Sequence, residues 1–350
     1  MSNFDPNGVG IANGNLFGFP VNESEADIVI IPIPWDATAS YGKGTSEGPK
    51  VILEASTQLD FYHPKLEDAY KTKVYLAPIS QEWAKINSKL CIEAIEYISF
   101  LEEGGDVSQN SDFQKTVNSI NEAQDALKSN LKERALQLMN QGKIVGVLGG
   151  EHSVPLGLLE AIDSKGKPFG ILQIDAHADL RNAYEGFTQS HASIMFNALK
   201  NCENLIKLVQ VGIRDIAQSE IDLINYSNGR VSTYFDWSLK EGQFNGETWN
   251  SQVEKIINDL PEDVYISFDI DGLSPELCPN TGTPVVGGFK LEEINYLLFK
   301  LVDSGKRIVG FDLNEVSPGN NGDWDANVGS RALWNLVCAT EKNRRILNKI

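Results

Sequence analysis

The sequence predicts an α/β fold, a mostly parallel sheet of roughly eight strands with helices on both faces. Three observations predict it. Short, near-continuously apolar runs such as DIVIIPI (27–33) and PFGILQI (168–174) read as strands covered on both sides. Longer stretches with apolar residues at helical spacing lie between such runs, the alternation that builds parallel sheets. The chain, 350 residues with 41% hydrophobic content, is long enough to bury one large core.

In chain order the predicted strands are Asp27–Ile33, Val74–Ala77, Ile144–Leu148, Phe169–Ile174, Ile206–Val211, Arg230–Tyr234, Val264–Phe268 and Ile308–Leu313. Helical patterns occupy Gly48–Gln58, Asn118–Gln141, Ser153–Ile162, Glu247–Leu260, Leu291–Gly305 and Ser330–Ile350, the last opening on Ser330 as a cap and closing in a basic turn. Region 81–119 is harder to read. It holds a helix over Lys89–Leu101 and then EEGGDVSQNSD (102–112), which reads as an exposed loop. That polar stretch is short, so residues 1–350 are expected to form a single domain.

Composition excludes several classes. The segment MSNFDPNGVGIANGNLFGFP has no basic stretch followed by an apolar one, and no run of 18 apolar residues exists, so neither a secretory signal nor a membrane span is expected. Cys91, Cys202, Cys278 and Cys338 stand far apart with no CxxC pair, which suits a reducing cytoplasm and not a zinc ribbon. A net charge of −18 disfavours nucleic acid and anionic membrane. It would draw in a cationic substrate, although acidity also serves solubility alone.

The chemistry concentrates at predicted strand ends. In ILQIDAHADLR, Asp175, His177 and Asp179 follow a buried strand at i, i+2 and i+4, a spacing that points all three one way in extended chain. Buried carboxylates so placed repel unless a cation neutralises them. A solvated polar turn is the alternative. In VYISFDID, Asp269 and Asp271 repeat the spacing, and a polar strand end with an Asp-Gly turn accounts for that pair equally well. A third strand ends in Gly149-Gly150-Glu151-His152-Ser153, where the glycines allow a sharp turn that lands His152 at the same rim. Three of the four histidines, His152, His177 and His191, adjoin such motifs; His63 reads as surface. Four carboxylates and two imidazoles at the ends of three strands suit two metals roughly 3.5–4 Å apart, in the crevice where open α/β sheets bind ligands. The oxygen-rich set favours Mn²⁺ over Zn²⁺.

GGEHS, DAHAD with the following SHAS, and SFDIDGLSP, in this order, closely resemble the signatures of the ureohydrolases, the arginases, agmatinases and their relatives. The resemblance spans roughly 26–337. It implies a three-layer α/β/α sandwich, two Mn²⁺ per subunit, and a bridging hydroxide that attacks a guanidinium carbon to release urea. By position it assigns His152, Asp175, His177, Asp179, Asp269 and Asp271 to the metals. His191, in QSHASIM, falls on the family's proton shuttle, and Glu315, in GFDLNEVSP, on the glutamate that pairs with the guanidinium. Asp179 would stabilise the tetrahedral species. A homo-oligomer, trimer or hexamer, is also implied.

Departures from the family patterns bear on the substrate. Arginases place Ser-Gly-Asn before the shuttle histidine, where this chain has EGFTQSHAS, and their Arg-Asp-Val-Asp becomes Arg214-Asp215-Ile216-Ala217. Both changes weaken recognition of an α-amino acid. The expected substrate is therefore agmatine, cleaved to putrescine; arginine and other guanidino or formimino compounds are the alternatives. Glu151 replaces the usual Asp, and Ser274-Pro275 the usual Asp-Pro. A one-zinc deacetylase and a non-catalytic metal-binding protein are the remote readings. The second carboxylate pair counts against the first, and the presence of both His191 and Glu315 against the other.

Overall fold

A computed structural model describes residues 4–319 and 323–348. Every predicted strand forms. They are β1 (Ile28–Ile33), β2 (Val74–Leu76), β3 (Ile144–Gly149), β4 (Phe169–Ile174), β5 (Leu205–Ile213), β6 (Val231–Phe235), β7 (Asp263–Asp269) and β8 (Arg307–Asn314). They make one sheet in the order β2-β1-β3-β8-β7-β4-β5-β6, with every pairing parallel. All six residues of β1, all six of β4 and all seven of β7 are buried, which explains why their sequences lack polar alternation.

The helices are α1 (Gly48–Ser56), α2 (Gln81–Glu102), α3 (Ser111–Asn140), α4 (Leu156–Asp163), α5 (Ile194–Asn201), α6 (Gln218–Tyr226), α7 (Asp236–Phe244), α8 (Trp249–Asp259), α9 (Leu291–Asp303) and α10 (Trp324–Leu347). They pack on both faces of the sheet as a three-layer α/β/α sandwich. Strands β7 and β8, late in the chain, fill the gap between β3 and β4. Because all strands run the same way, the carboxyl ends of β3, β8, β7 and β4 lie side by side along one edge. That placement gathers the polar motifs, which are far apart in sequence.

Three expectations need correction. Helix α10 begins a turn and a half before Ser330, which is buried inside it and donates its hydroxyl to the Asn327 carbonyl; Ser330 is not a cap. Residues 349 and 350 of that expected helix lie outside the described residues. Region 81–140 is a long helical hairpin rather than a helix followed by a loop. Ser80 caps α2 by accepting the Trp83 N–H at 3.2 Å, and Asn110 caps α3 by accepting those of Asp112 and Phe113 at 3.1 and 3.2 Å, so the expected loop shrinks to a short connection. Ile120, Gln124, Leu127, Leu131, Ala135 and Leu138 form the buried stripe of α3 at spacings of three and four. Finally, His63 is half-buried, with its ring centroid 4.7 Å from that of Phe299 and Nε2 3.1 Å from Asn335 Oδ1.

Candidate metal centre and active site

The Gly149-Gly150 turn brings the end of β3 against the loop that follows β1. A Cβ on Gly150 would stand 2.0 Å from the Trp35 carbonyl oxygen, so only glycine fits there. The turn buries Glu151 and His152 completely. His152 is fixed on two sides: its N–H donates to Glu315 Oε1 at 2.8 Å, and its Nε2 lies 2.8 Å from Ser267 Oγ on β7. Ser267 in turn donates its single hydroxyl proton to Asp312 Oδ1 on β8, at 3.1 Å. The serine therefore accepts from Nε2–H, which leaves the lone pair on Nδ1.

That lone pair faces carboxylates. Nδ1 of His152 is 3.0 Å from Asp175 Oδ2, 3.1 Å from Asp179 Oδ2 and 3.3 Å from Asp269 Oδ2. It nevertheless forms no aligned hydrogen bond with any described residue, and neither does the buried Asp271 Oδ2. Four acceptors thus converge on a point that no protein donor fills. Such an arrangement is costly unless positive charge occupies it. In the protein alone, protons are the available positive charge. Burial opposes protonation of His152, but its contacts with Asp175, Asp179 and Asp269 outweigh that and hold its pKa well above the ordinary value. Burial, reinforced by the Asp175 charge, pushes Asp179 up to about 7. Burial and the neighbouring Asp271 and Asp175 raise Asp269 as well.

A second group adjoins the first. His177, half-buried, places Nδ1 2.9 Å from Asp271 Oδ2 and 3.7 Å from Asp175 Oδ1. His152, Asp175 and Asp179 form one triad whose ligand atoms all lie within 4.8 Å, and Asp175, His177 and Asp271 form another, so Asp175 belongs to both. Two imidazoles and a majority of carboxylate oxygens suit divalent cations of the borderline-to-hard kind.

Backbone bonds aim each carboxylate. Asp175 Oδ1 accepts the His177 N–H at 2.6 Å, Asp269 Oδ1 that of Asp271 at 2.8 Å, and Asp271 Oδ1 that of Ala176 at 3.0 Å. Asp179 adopts φ 54° and accepts the N–H groups of Met195 and Phe196 on its carbonyl, each at 3.1 Å, which pins it to the start of α5. A polar chain crosses the core behind them. Thr233 donates to Gln210 at 2.8 Å, Gln210 to Gln173 at 2.7 Å, and Gln173 to Asp175 Oδ2 at 2.8 Å. Sequence reasoning passed over Ser267, Asp312, Gln173 and Gln210. The available signal was their polarity inside strands that are otherwise apolar.

All six sequence-predicted ligand residues meet at this edge, and His191 stands beside them. A cavity of about 160 Å³ is lined by Ser40, His177, Asp179, Tyr184, His191 and Asp215, among others. His191 Nε2 lies 3.2 Å from Ser40 Oγ. Burial, then the neighbouring positive His177, pushes its pKa down to about 3. Glu315 is buried behind His152 at φ 64°, and it does not line this cavity. Burial and the adjacent Glu151 raise its pKa well above the carboxylate range.

The α2–α3 hairpin holds the loops that surround the cavity. Asn87 on α2 donates to Asp36 Oδ1 at 2.8 Å and accepts the Asp36 N–H at 2.8 Å. Asn121 on α3 accepts the Thr188 N–H at 2.9 Å and donates to the Gly186 carbonyl at 3.2 Å.

Comparison with known proteins agrees with this geometry. Residues 26–339 match the model of the Arginase family. The chain is 29% identical over 300 residues to an N(1)-aminopropylagmatine ureohydrolase of Synechocystis sp., covering 84% of this chain and 83% of that one. It is 31% identical over 317 residues to an agmatinase of Klebsiella pneumoniae, covering 87% and 86%. Among solved structures, the agmatine ureohydrolase of Thermoplasma volcanium superposes with a TM-score of 0.72 at 23% identity, covering 94% of each chain.

Proposed function

The chain belongs to the arginase family, and from that premise we propose that this ureohydrolase holds two Mn²⁺ ions and releases urea from a small cationic guanidino compound. Agmatine is the first candidate. Its N1-aminopropyl derivative is the second, favoured by the name of the Synechocystis relative. The observation that carries the reading is the pair of triads sharing Asp175, with the unpartnered His152 Nδ1 and Asp271 Oδ2 aimed into them. His152, Asp175, Asp179 and Asp269 would hold one ion, and Asp175, His177 and Asp271 the other. Two such sites weigh against a deacetylase that works with a single zinc.

Bound divalent ions would make a nucleophile from water near neutral pH. The protein does the rest. Glu315 would pair with the cationic guanidinium, which supplies the positive charge that its buried carboxyl lacks in the protein alone; Oε1 is already tied to the His152 N–H. Asp179 steadies the tetrahedral carbon formed on attack. His191, held neutral at rest by burial and the His177 charge, relays a proton to the departing amine as the C–N bond breaks and its electron pair moves to nitrogen. The same reading takes residues 1–350 as one catalytic domain, assembled into a cytoplasmic trimer or hexamer.

The test is urea release from agmatine, N1-aminopropylagmatine, arginine and guanidinobutyrate after manganese loading, with bound metal counted per chain. Two manganese and urea from a cationic substrate are expected. One metal per chain, or no urea from any compound, overturns the proposal.

A further inference from the structure

The loop after β1, residues 34–44, reaches the cavity with a side chain that the mechanism above leaves unused. Ser40 Oγ lies 3.2 Å from His191 Nε2, and both residues line the cavity with His177 and Asp179. Among the described residues, this is the one side-chain hydrogen bond that the His191 ring makes. Its other nitrogen, Nδ1, is buried with no aligned partner among them, and the Thr38 backbone on the same loop is the other polar group that bears on the ring. The Tyr184 ring meets it edge-on, with centroids 6.0 Å apart, and that contact sets no rotation about the ring axis.

Both flanks of Ser40 are pinned. On one side Glu151, the residue before His152, accepts the Thr38 N–H at 3.0 Å and the Thr38 hydroxyl at 2.5 Å. On the other, Asp36 Oδ2 accepts the N–H groups of Gly44 and Ser46 at 2.8 and 3.2 Å, and the Lys43 ammonium donates to the carbonyls of Asp36 and Ala37 at 3.1 and 3.2 Å. A serine on a loop this restrained presents its hydroxyl at a fixed place. The loop is tied to the segment that delivers His152, so the contact couples two parts of the site.

We propose that Ser40 is the positioning residue for His191, holding its imidazole at the His177–Asp179 side of the cavity. The proposal rests on the reading of His191 as the group that moves the proton. A hydroxyl suits this task because it both donates and accepts. It serves Nε2 as an acceptor while that nitrogen carries a proton and as a donor once the proton has left. A carboxylate or an ammonium in its place would favour one state and slow the other. Orientation matters because the terminal torsion of a histidine is broad, and misplacing a reacting group by about 1 Å costs up to roughly 10²-fold in rate.

The experiment compares wild type, Ser40→Ala, Ser40→Thr, His191→Ala and the Ser40→Ala/His191→Ala double variant. Each is loaded with manganese and assayed on agmatine and N1-aminopropylagmatine, with bound manganese counted. Ser40→Ala is expected to lower kcat about tenfold while KM stays within about twofold and the manganese count does not change. Ser40→Thr, which keeps the hydroxyl, recovers most of the loss. In the His191→Ala background, removing the Ser40 hydroxyl adds nothing. Wild-type kcat in Ser40→Ala, a loss that persists in full on top of His191→Ala, or a fall in bound manganese overturns the proposal. If wild type releases no urea from either compound, the reading of the enzyme fails and takes this proposal with it. If wild type is active and Ser40→Ala is indifferent, this proposal alone fails.

Discussion

Tyr97, on the helical hairpin, donates its hydroxyl to the backbone carbonyl of Glu185 at 2.7 Å, in the loop that leads to His191. Its ring also packs edge-on against Phe187, centroids 5.6 Å apart, so one side chain fastens that loop through both polar and apolar contact. Tyr97→Phe keeps the packing and removes the bond. It is expected to cost about 1 kcal/mol of stability, the usual net value of such a hydrogen bond. Backbone amides of 184–191 should exchange faster with solvent while those of β4 and β7 do not. Unchanged exchange across the loop would mean that the hairpin does not hold it.

The two histidines proposed as metal ligands differ in support, and their variants should differ too. His152 depends on Ser267, which sets its tautomer through Nε2. Ser267→Ala is expected to weaken manganese binding by roughly 10- to 100-fold, the usual effect of losing a partner that orients a metal-ligating histidine. His177→Ala and Asp269→Ala each remove a ligand outright and should lower the manganese bound per chain. Metal analysis after dialysis against a graded series of free Mn²⁺ separates the two effects. Full metal content in His177→Ala or Asp269→Ala would strike that residue from the ligand set.

Removal of metal should make stability depend on pH in a definite direction. Without a cation, burial and the Asp175 charge hold the Asp179 pKa up to about 7, above its unfolded value. The native state then binds a proton that the unfolded chain has already released, so stability falls as pH rises toward and through 7. Manganese bound there would replace that proton and should cancel the fall. Thermal midpoints of chelator-treated protein are expected to drop between pH 6 and pH 8. The gain on adding Mn²⁺ should be larger at pH 8 than at pH 6, because protons compete for the same oxygens. An equal gain at both pH values would contradict this account.

The sheet was legible because burial on both faces writes itself into sequence. PFGILQI and VYISFD are apolar but for Gln173, Ser267 and the closing Asp269, and their polar tails mark where each strand meets the site. The proposed ligands were legible for a related reason, since a spacing of two at a strand end keeps side chains on one side. What escaped had no such periodic imprint. Gln173 and Gln210 act singly from within buried strands, and Ser40 acts from a loop held by Glu151 and Asp36. Apart from the Asn87–Asp36 contact, the hairpin grips mainly backbone carbonyls and N–H groups, which any sequence in the gripped loop supplies. Short helices were missed where caps are lacking and the pattern is blurred. Helix α7 has no side-chain cap, and it exposes Trp237 and Phe244.

The last prediction concerns the far end of the substrate. Arg214 has a guanidinium that could in principle greet an α-carboxylate, but it is spent on the carbonyls of Asp271, Leu273 and Val285 at 2.6, 3.1 and 2.9 Å. Arg181, which lines the cavity, lies over the Tyr184 ring at 4.7 Å. Ala217 offers no carboxylate to an α-amino group. Asp215, by contrast, is exposed at the cavity wall, and its backbone is bridged to that of His177. A carboxylate so placed suits the ammonium tail of agmatine or its aminopropyl derivative, and among the described residues that line the cavity the one guanidinium, that of Arg181, is stacked on Tyr184. The value of kcat/KM is therefore expected to be higher for agmatine than for arginine. Asp215→Asn should raise KM for agmatine several-fold with kcat nearly unchanged, because the contact lies away from the reacting carbon and acts equally on ground and transition states. A preference for arginine, or a fall in kcat at constant KM in Asp215→Asn, would refute this assignment of the tail.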